Sequence, residues 1–176
     1  MSRDVIIRAS RDEDLPRIAA IYGHHVLNGL ASFEELPPPI DEMARRRKEI
    51  LVRCLPYLVA ERAGKVLGYA YAGPFRTRSA YRFTVEDSIY IDPTEVGRGL
   101  GRALLEPLLE HCEALGYRQM VAVIGGSETL PSIRLHAALG FAHVGVLSGI
   151  GFKFARWVDT VLMQRALGAG AAKPPV

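Results

Sequence analysis

Val96-Gly97-Arg98-Gly99-Leu100-Gly101 is the stretch that decides how this chain is read. Its three glycines alternate with Arg98 and Leu100, a few residues after the strand-like Ser88-Ile89-Tyr90-Ile91 and just before a helical pattern. Glycine allows a sharp turn and a close approach of backbone to ligand. A helix start behind such a turn offers unpaired N–H groups and the positive end of the helix dipole, which suits a phosphate. A plain turn does not call for a second and third glycine at alternate positions. No lysine follows in the way a nucleotide-triphosphate loop requires. The last glycine spacing and the position past mid-chain do not fit a dinucleotide fingerprint either.

Working outward, residues 4–9 read as a strand, and Ser10-Arg11-Asp12-Glu13 fits a capping box before a helix marked by Leu15, Ile18, Ala19 and Tyr22. A loop over 28–40 ends in Pro37-Pro38-Pro39, and Asp41 is expected to cap a second helix to about Arg53. Strands over 57–62 and 65–73 flank a hairpin turn at Ala63-Gly64-Lys65. Residues 74–82 form a loop rich in arginine and tyrosine, and 83–91 a further strand. The helix behind the glycines runs to about Leu115, with a kink expected at Pro107 and a stop at Gly116. The continuous apolar run Met120–Ile124 predicts a strand buried on both faces. Pro131 opens a short helix that ends at Gly140, and strands over 141–148 and 152–164 close the pattern. The order β-α-α-β-β-β-α-β-α-β-β predicts one α/β domain with a mixed sheet over 1–167, followed by a flexible Gly/Ala/Pro-rich tail over 168–176.

The 176 residues, 49% of them hydrophobic, suit a single folded domain with a real core. Mean hydropathy is +0.10, and no apolar run reaches the roughly 18 residues of a membrane span. Met1-Ser2-Arg3-Asp4 runs straight into Val5-Ile6-Ile7, so no signal peptide is expected. Cys54 and Cys112 lack metal-ligand spacing and read as buried or half-buried free thiols, which implies a reducing, cytoplasmic setting. His24-His25 shows no ligand spacing with any other His or Cys, so no metal is expected. A net charge of +3 is too weak to argue for nucleic acid. Arg45-Arg46-Arg47-Lys48 reads as the outer face of an amphipathic helix.

Three groups carry candidate chemistry. Glu86 and Asp87 are adjacent in a strand, so they point to opposite faces and one is expected to turn inward, as a general base or as a structural ion pair. Arg76 and Arg78 flank Thr77 in a loop, solvated or forked around a carboxylate or phosphonate. His136 falls on the helix side shared with Ile133 and Leu139, either packed or a proton donor near neutral pH.

Together these residues resemble the GNAT acetyltransferase superfamily, whose acyl-CoA motif is Q/R-x-x-G-x-G/A between a strand and a helix. Within it the chain is similar to the phosphinothricin and methionine sulfoximine N-acetyltransferase group. The segments that carry the likeness are Gly68-Tyr69-Ala70, Thr84–Tyr90, Val121–Gly125, Ser132–His136 and Gly151–Asp159, over roughly residues 4–165. The resemblance implies a mixed, mostly antiparallel twisted sheet flanked by helices, and direct transfer of acetyl from acetyl-CoA to an amine without an acyl-enzyme. It implies Glu86 as base, and His136 as acid to the leaving thiolate or as a second base. Arg76, Thr77 and Arg78 would hold a substrate carboxylate, Val85 and Asp87 would also meet substrate, and Phe33 and Glu34 would close over it. Ser88, Ile89, Tyr90, Val96, Gly97, Arg98, Gly99, Leu100, Gly101, Arg102 and Thr129 would hold acetyl-CoA. Val96 replaces the motif's Gln or Arg, and Thr129 stands where the family often has Asn. The expected acceptor is phosphinothricin, methionine sulfoximine or methionine sulfone, and the expected assembly is a homodimer with no nucleic-acid or membrane partner. The alternatives are a GNAT enzyme acting on a polyamine, an aminoglycoside or a protein N-terminus, and a non-catalytic acyl-CoA-binding module.

Overall fold

The computed structural model describes residues 5–175. The chain runs β1 (Ile6–Ala9), α1 (Leu15–Asn28), α2 (Ile40–Val52), β2 (Tyr57–Arg62), β3 (Lys65–Pro74), β4 (Thr84–Ile91), α3 (Leu100–Ala114), β5 (Gln119–Gly125), α4 (Leu130–Ala138), β6 (Ala142–Lys153) and β7 (Arg156–Ala166). That is the order read from the sequence. Asp4, included in the first expected strand, lies outside the described residues.

The strands form one seven-stranded sheet in the order β1-β2-β3-β4-β5-β7-β6. Every neighbouring pair is antiparallel except β4 and β5. Register assigns the two faces. Gly73 pairs with Glu86, Tyr71 with Ser88 and Tyr69 with Tyr90, so these side chains share one face. Ile18, Ile21 and Val26 of α1 and Met43 of α2 pack on that face against Tyr57, Val59, Tyr69 and Tyr90. Val85 lies on the opposite face, in the larger core with Leu104, Leu105 and Leu108 of α3. Burying each such leucine contributes on the order of 2 kcal/mol, and their i, i+1, i+4 spacing is why this segment is a helix against a sheet.

The pairing of β4 with β5 stops early. It spans only Thr84–Asp87 against Gln119–Ala122. Beyond Asp87, β4 continues on β3 as far as Ile91, while β5 continues on β7 as far as Gly125. The two parallel strands therefore part, and the main chain of Ser88–Ile91 faces a gap.

Several local readings need correction. The reciprocal cap before α1 is not built on Ser10: Asp14 accepts from the Arg11 N–H at 2.7 Å, and the Ser10 hydroxyl accepts from Arg47 instead. Arg47 is thus turned inward at 7% exposure, holding the Ser10 carbonyl at 2.6 Å, while its neighbours in the basic run face outward. Asp41 does not cap α2; Pro39 does, and Asp41 lies in the first turn. The helix α3 runs unbroken through Pro107 to Ala114. Val123 of β5 is 40% exposed because it borders the gap, so that strand is not buried on both faces throughout. Residues 152–153 belong to β6, since Phe154 and Ala155, both with positive φ, form the two-residue hairpin turn. Cys54 is exposed and follows α2, with φ +58. Its N–H bonds Leu51 and that of Leu55 bonds Ile50, a left-handed helix stop made without glycine. Residues 168–171 form turns after the buried Leu167, followed by a bend at 172–173.

Candidate active site

The gap between β4 and β5 opens a cleft of about 620 Å³. Its walls are Glu86–Ile91, the glycine turn through Arg102, Ala122–Gly125, and Thr129, Ser132 and His136 of the α4 region, with His25 and Gly29–Ala31 closing the side of α1. At one end the chain folds as the glycine run predicts. Gly97 and Gly99 adopt φ +79 and +82, a region that costs a side chain about 1 kcal/mol or more, and α3 starts at Leu100. The first N–H groups of a helix have no intrahelical acceptor. Here they end on this cleft beside the positive dipole end, a seat for a pyrophosphate. Neither cysteine lines the cleft, and burial pushes the Cys112 thiol up to about 12.

The expected cofactor side chains contribute unequally. Val96 is exposed and offers only its main chain. Arg98 leans on Glu95 at 3.4 Å, and Arg102 pairs with Glu106 at 2.8 Å, both on the surface where they can swing. The Thr129 hydroxyl is committed to the Gly125 carbonyl at 2.7 Å. Ser88, Ile89 and Tyr90 border the cleft with strand backbone unpaired to β5.

Glu86 stands where β4 and β5 begin to part. Burial, reinforced by the neighbouring Asp87 charge and opposed by Arg76, raises its pKa to about 7. A carboxylate tuned there can accept a proton near neutral pH. Arg76, Thr77 and Arg78 line a second cleft of about 580 Å³, between α2 and the loop after β3. Tyr57 and Tyr71 stack on its wall with ring centroids 4.9 Å apart. The influence of Arg76 on Glu86 connects the two clefts electrostatically.

Adjacent carboxylates on opposite faces have different surroundings. Asp87, 7% exposed, accepts from His136 Nε2 at 3.0 Å on the α4 side of the sheet. His136 Nδ1 faces the Ser132 carbonyl at 2.7 Å. Burial pulls the imidazole pKa down, but Asp87 and the Ser132 carbonyl outweigh it and the net shift is upward. Both ring nitrogens are therefore engaged in this arrangement. Val85 is fully buried in the α3 core, so the side chains of Val85 and Asp87 both turn away from Glu86 and the arginine loop.

Phe33 and Glu34 sit on the loop between α1 and α2. Glu34 bonds Arg46 at 2.5 Å, and Arg46 lines the second cleft. Phe33 lies over Gly125 and Gly151, where an added Cβ on Gly151 would overlap its ring. Sequence reading missed two residues here. His25 bonds the Ile91 carbonyl at 2.7 Å inside the first cleft. Lys153, 2% exposed, reaches from the end of β6 to the carbonyls of Gly29 and Ser32. A lysine in an otherwise apolar strand end was the available signal.

Comparison with known proteins agrees with this geometry. The family described as acetyltransferase (GNAT) domain matches residues 7–162. The chain is 57% identical over 169 residues to the phosphinothricin N-acetyltransferase of Alcaligenes faecalis, covering 96% of this chain and 86% of that one. It is 37% identical over 166 residues to the L-methionine sulfoximine/L-methionine sulfone acetyltransferase of Salmonella typhimurium, covering 94% and 96%. The crystal structure of a GNAT superfamily phosphinothricin acetyltransferase from Sinorhizobium meliloti in complex with AcCoA superposes with a TM-score of 0.95 at 50% identity, covering 98% of this chain and 94% of that one.

Proposed function

The chain belongs to the GNAT family of acetyl-CoA-dependent N-acetyltransferases, and from that premise we propose that it acetylates the amine of a small amino acid with a tetrahedral, polar side-chain group. Phosphinothricin, methionine sulfoximine and methionine sulfone are the acceptors meant. The observation that carries this reading is the juxtaposition at Glu86: a carboxyl with a pKa of about 7, at the mouth of a split sheet, in the field of Arg76 from the neighbouring cleft.

Acetyl-CoA supplies the thioester; the chain's own residues hold, orient and deprotonate. The turn at Gly97 and Gly99 with the start of α3 holds the pyrophosphate. An N–H of the unpaired β4 main chain polarises the thioester carbonyl as a single oxyanion donor. Arg76 and Arg78, with Thr77, hold the acceptor's carboxylate, and Phe33 and Glu34 cover it. Glu86 takes the proton from the acceptor's ammonium, directly or through water. The freed amine forms the N–C bond, the C–S bond breaks, and the sulfur leaves with the electron pair; the nitrogen's second proton passes to that thiolate through water, giving the amide and the CoA thiol. His136, bonded to Asp87 in the cleft wall, ties α4 to β4 and keeps Glu86 and the strand backbone in register. A polyamine or other cationic acceptor is disfavoured, because Glu34 is already paired with Arg46 and Asp87 is buried with His136.

The protein acts in the cytoplasm as a homodimer in this reading. Among the described residues no helix is long and apolar enough to cross a membrane, and both cysteines are free. The outer strand β6 leaves Val144, Val146, Leu147, Ile150 and Phe152 exposed, and the run Val144–Phe152 carries no charge. Long exposed edges are ordinarily blunted with charge, so the occupant proposed is a second copy of this chain; a monomer in light scattering would remove the dimer. Thiol release from acetyl-CoA, dependent on added phosphinothricin or methionine sulfoximine, tests the activity. Release with polyamines or peptides alone would move the assignment to another acceptor, and no release above background with any amine would leave a binding module.

A further inference from the structure

Lys153 is a buried cation that faces main chain. Its Nζ donates to the carbonyls of Gly29 at 2.9 Å and Ser32 at 2.6 Å, more than 120 residues away in sequence. The Phe154 ring lies 5.0 Å from it. Among the described residues no carboxylate lies within salt-bridge distance of Nζ. Glu35 and Glu34 act on it only from further off. Burying an ammonium is costly unless its donors are used, so a lysine here has to be matched by what it holds.

What it holds is the loop that carries Phe33 and Glu34. The same loop is tied by Ser32 to Tyr22 at 2.8 Å and by Glu34 to Arg46. Phe33 fills the notch over Gly125 and Gly151, and a Cβ on Gly125 would overlap the Leu30 carbonyl. Gly29, Leu30 and Ala31 line the first cleft, and Arg46, the partner of Glu34, lines the second. The loop therefore joins the wall of one cleft to the arginine-lined wall of the other. We infer that Lys153 is a positioning residue that locks residues 29–34 over the acceptor, so that acceptor recognition depends on a side chain delivered by β6. This rests on the proposed acceptor role of Phe33 and Glu34.

The test separates the two. In Lys153→Met, hydrogen exchange of amides 30–36 should quicken about tenfold or more, the loss of two charge-assisted bonds. The acceptor KM should rise about tenfold, with the acetyl-CoA KM within about twofold of wild type. Lys153→Arg, which keeps donors at the site, should restore most of the acceptor KM. Gly151→Ala, which displaces Phe33 without touching the ammonium, should raise the acceptor KM as well. Unchanged loop exchange in folded Lys153→Met would overturn the inference whatever the acceptor is. Faster exchange with an unchanged acceptor KM would overturn the link to recognition. If Lys153→Met does not fold, Lys153→Gln takes its place in the same two measurements, and unchanged loop exchange there overturns the inference.

Discussion

Replacing Glu86 by Gln keeps the shape of the side chain and removes its charge and its capacity to accept a proton. Two consequences of opposite sign follow from one number, the pKa of about 7 that burial and Asp87 impose on Glu86. For catalysis, a general base contributes about 10²–10⁴-fold, so turnover should fall by at least about 100-fold at pH 8. In the wild type, kcat/KM for the acceptor should fall about tenfold per pH unit below about 7, where the carboxylate becomes the minor form. For stability, a carboxyl whose folded pKa lies above its unfolded value costs stability once ionised. That cost is absent below about 4.5, grows up to about 7, and is complete above. The gap corresponds to about 3 kcal/mol, and less after solvent screening because Glu86 is partly open to the cleft, so about 1–3 kcal/mol is expected. Glu86→Gln should therefore be more stable than wild type at pH 8 and equal to it near pH 4.5. Thiol release across pH 5.5–9 and denaturant melts at the two pH values measure both. Turnover within tenfold of wild type, with the acid limb of the pH profile unmoved, would refute the base. A mutant no more stable at pH 8 would refute the burial argument.

Three further substitutions probe the surroundings. Asp87→Asn leaves the His136 imidazole buried without its counter-charge, and should cost about 3 kcal/mol at pH 6 by chemical denaturation. Because the His136 pKa is raised in the fold, that gap should narrow as pH climbs through the folded value; a pH-independent loss would mean the pair is not charged. Cys54→Gly relieves a left-handed side chain at a helix stop, and should stabilise the protein by about 0.5–1 kcal/mol in thermal melts. Val96→Gln restores a polar side chain beside the glycine turn, and should lower the acetyl-CoA KM about three- to tenfold without moving the acceptor KM; no change would show that main-chain N–H groups suffice.

Much of the architecture is local in origin and was therefore legible in the sequence. Leu104, Leu105 and Leu108 declare a helix by spacing, Ala63-Gly64-Lys65 declares a hairpin turn, and Gly97 and Gly99 declare the sharp turn before α3. Adjacent carboxylates in a strand had to face opposite ways, and Glu86 and Asp87 do. The misreadings have a common physical cause. Arg47 looks like its solvated neighbours until Ser10, far off in the chain, is brought under it. His136 is left open by its spacing, packed or a proton donor, until Ser132 and Asp87 engage both its nitrogens. Lys153 shows only as a lysine in an apolar strand end, because its partners are carbonyl oxygens that every residue carries. Periodicity reports the face on which a side chain starts, and only packing reports what waits there.

Since β4 and β5 separate after Asp87, the sheet has an edge in its interior. If acetyl-CoA occupies that edge, as proposed, it becomes part of what keeps the polypeptide folded. At a hundredfold excess over its dissociation constant a ligand adds about 2.7 kcal/mol to the native state, a sizeable share of the margin on which a domain of this size survives. Tolerance to mutation would then depend on how much of the enzyme holds acetyl-CoA. A substitution silent in a cell rich in acetyl-CoA would be exposed in a starved one, and the enzyme's own abundance would follow the supply of its donor.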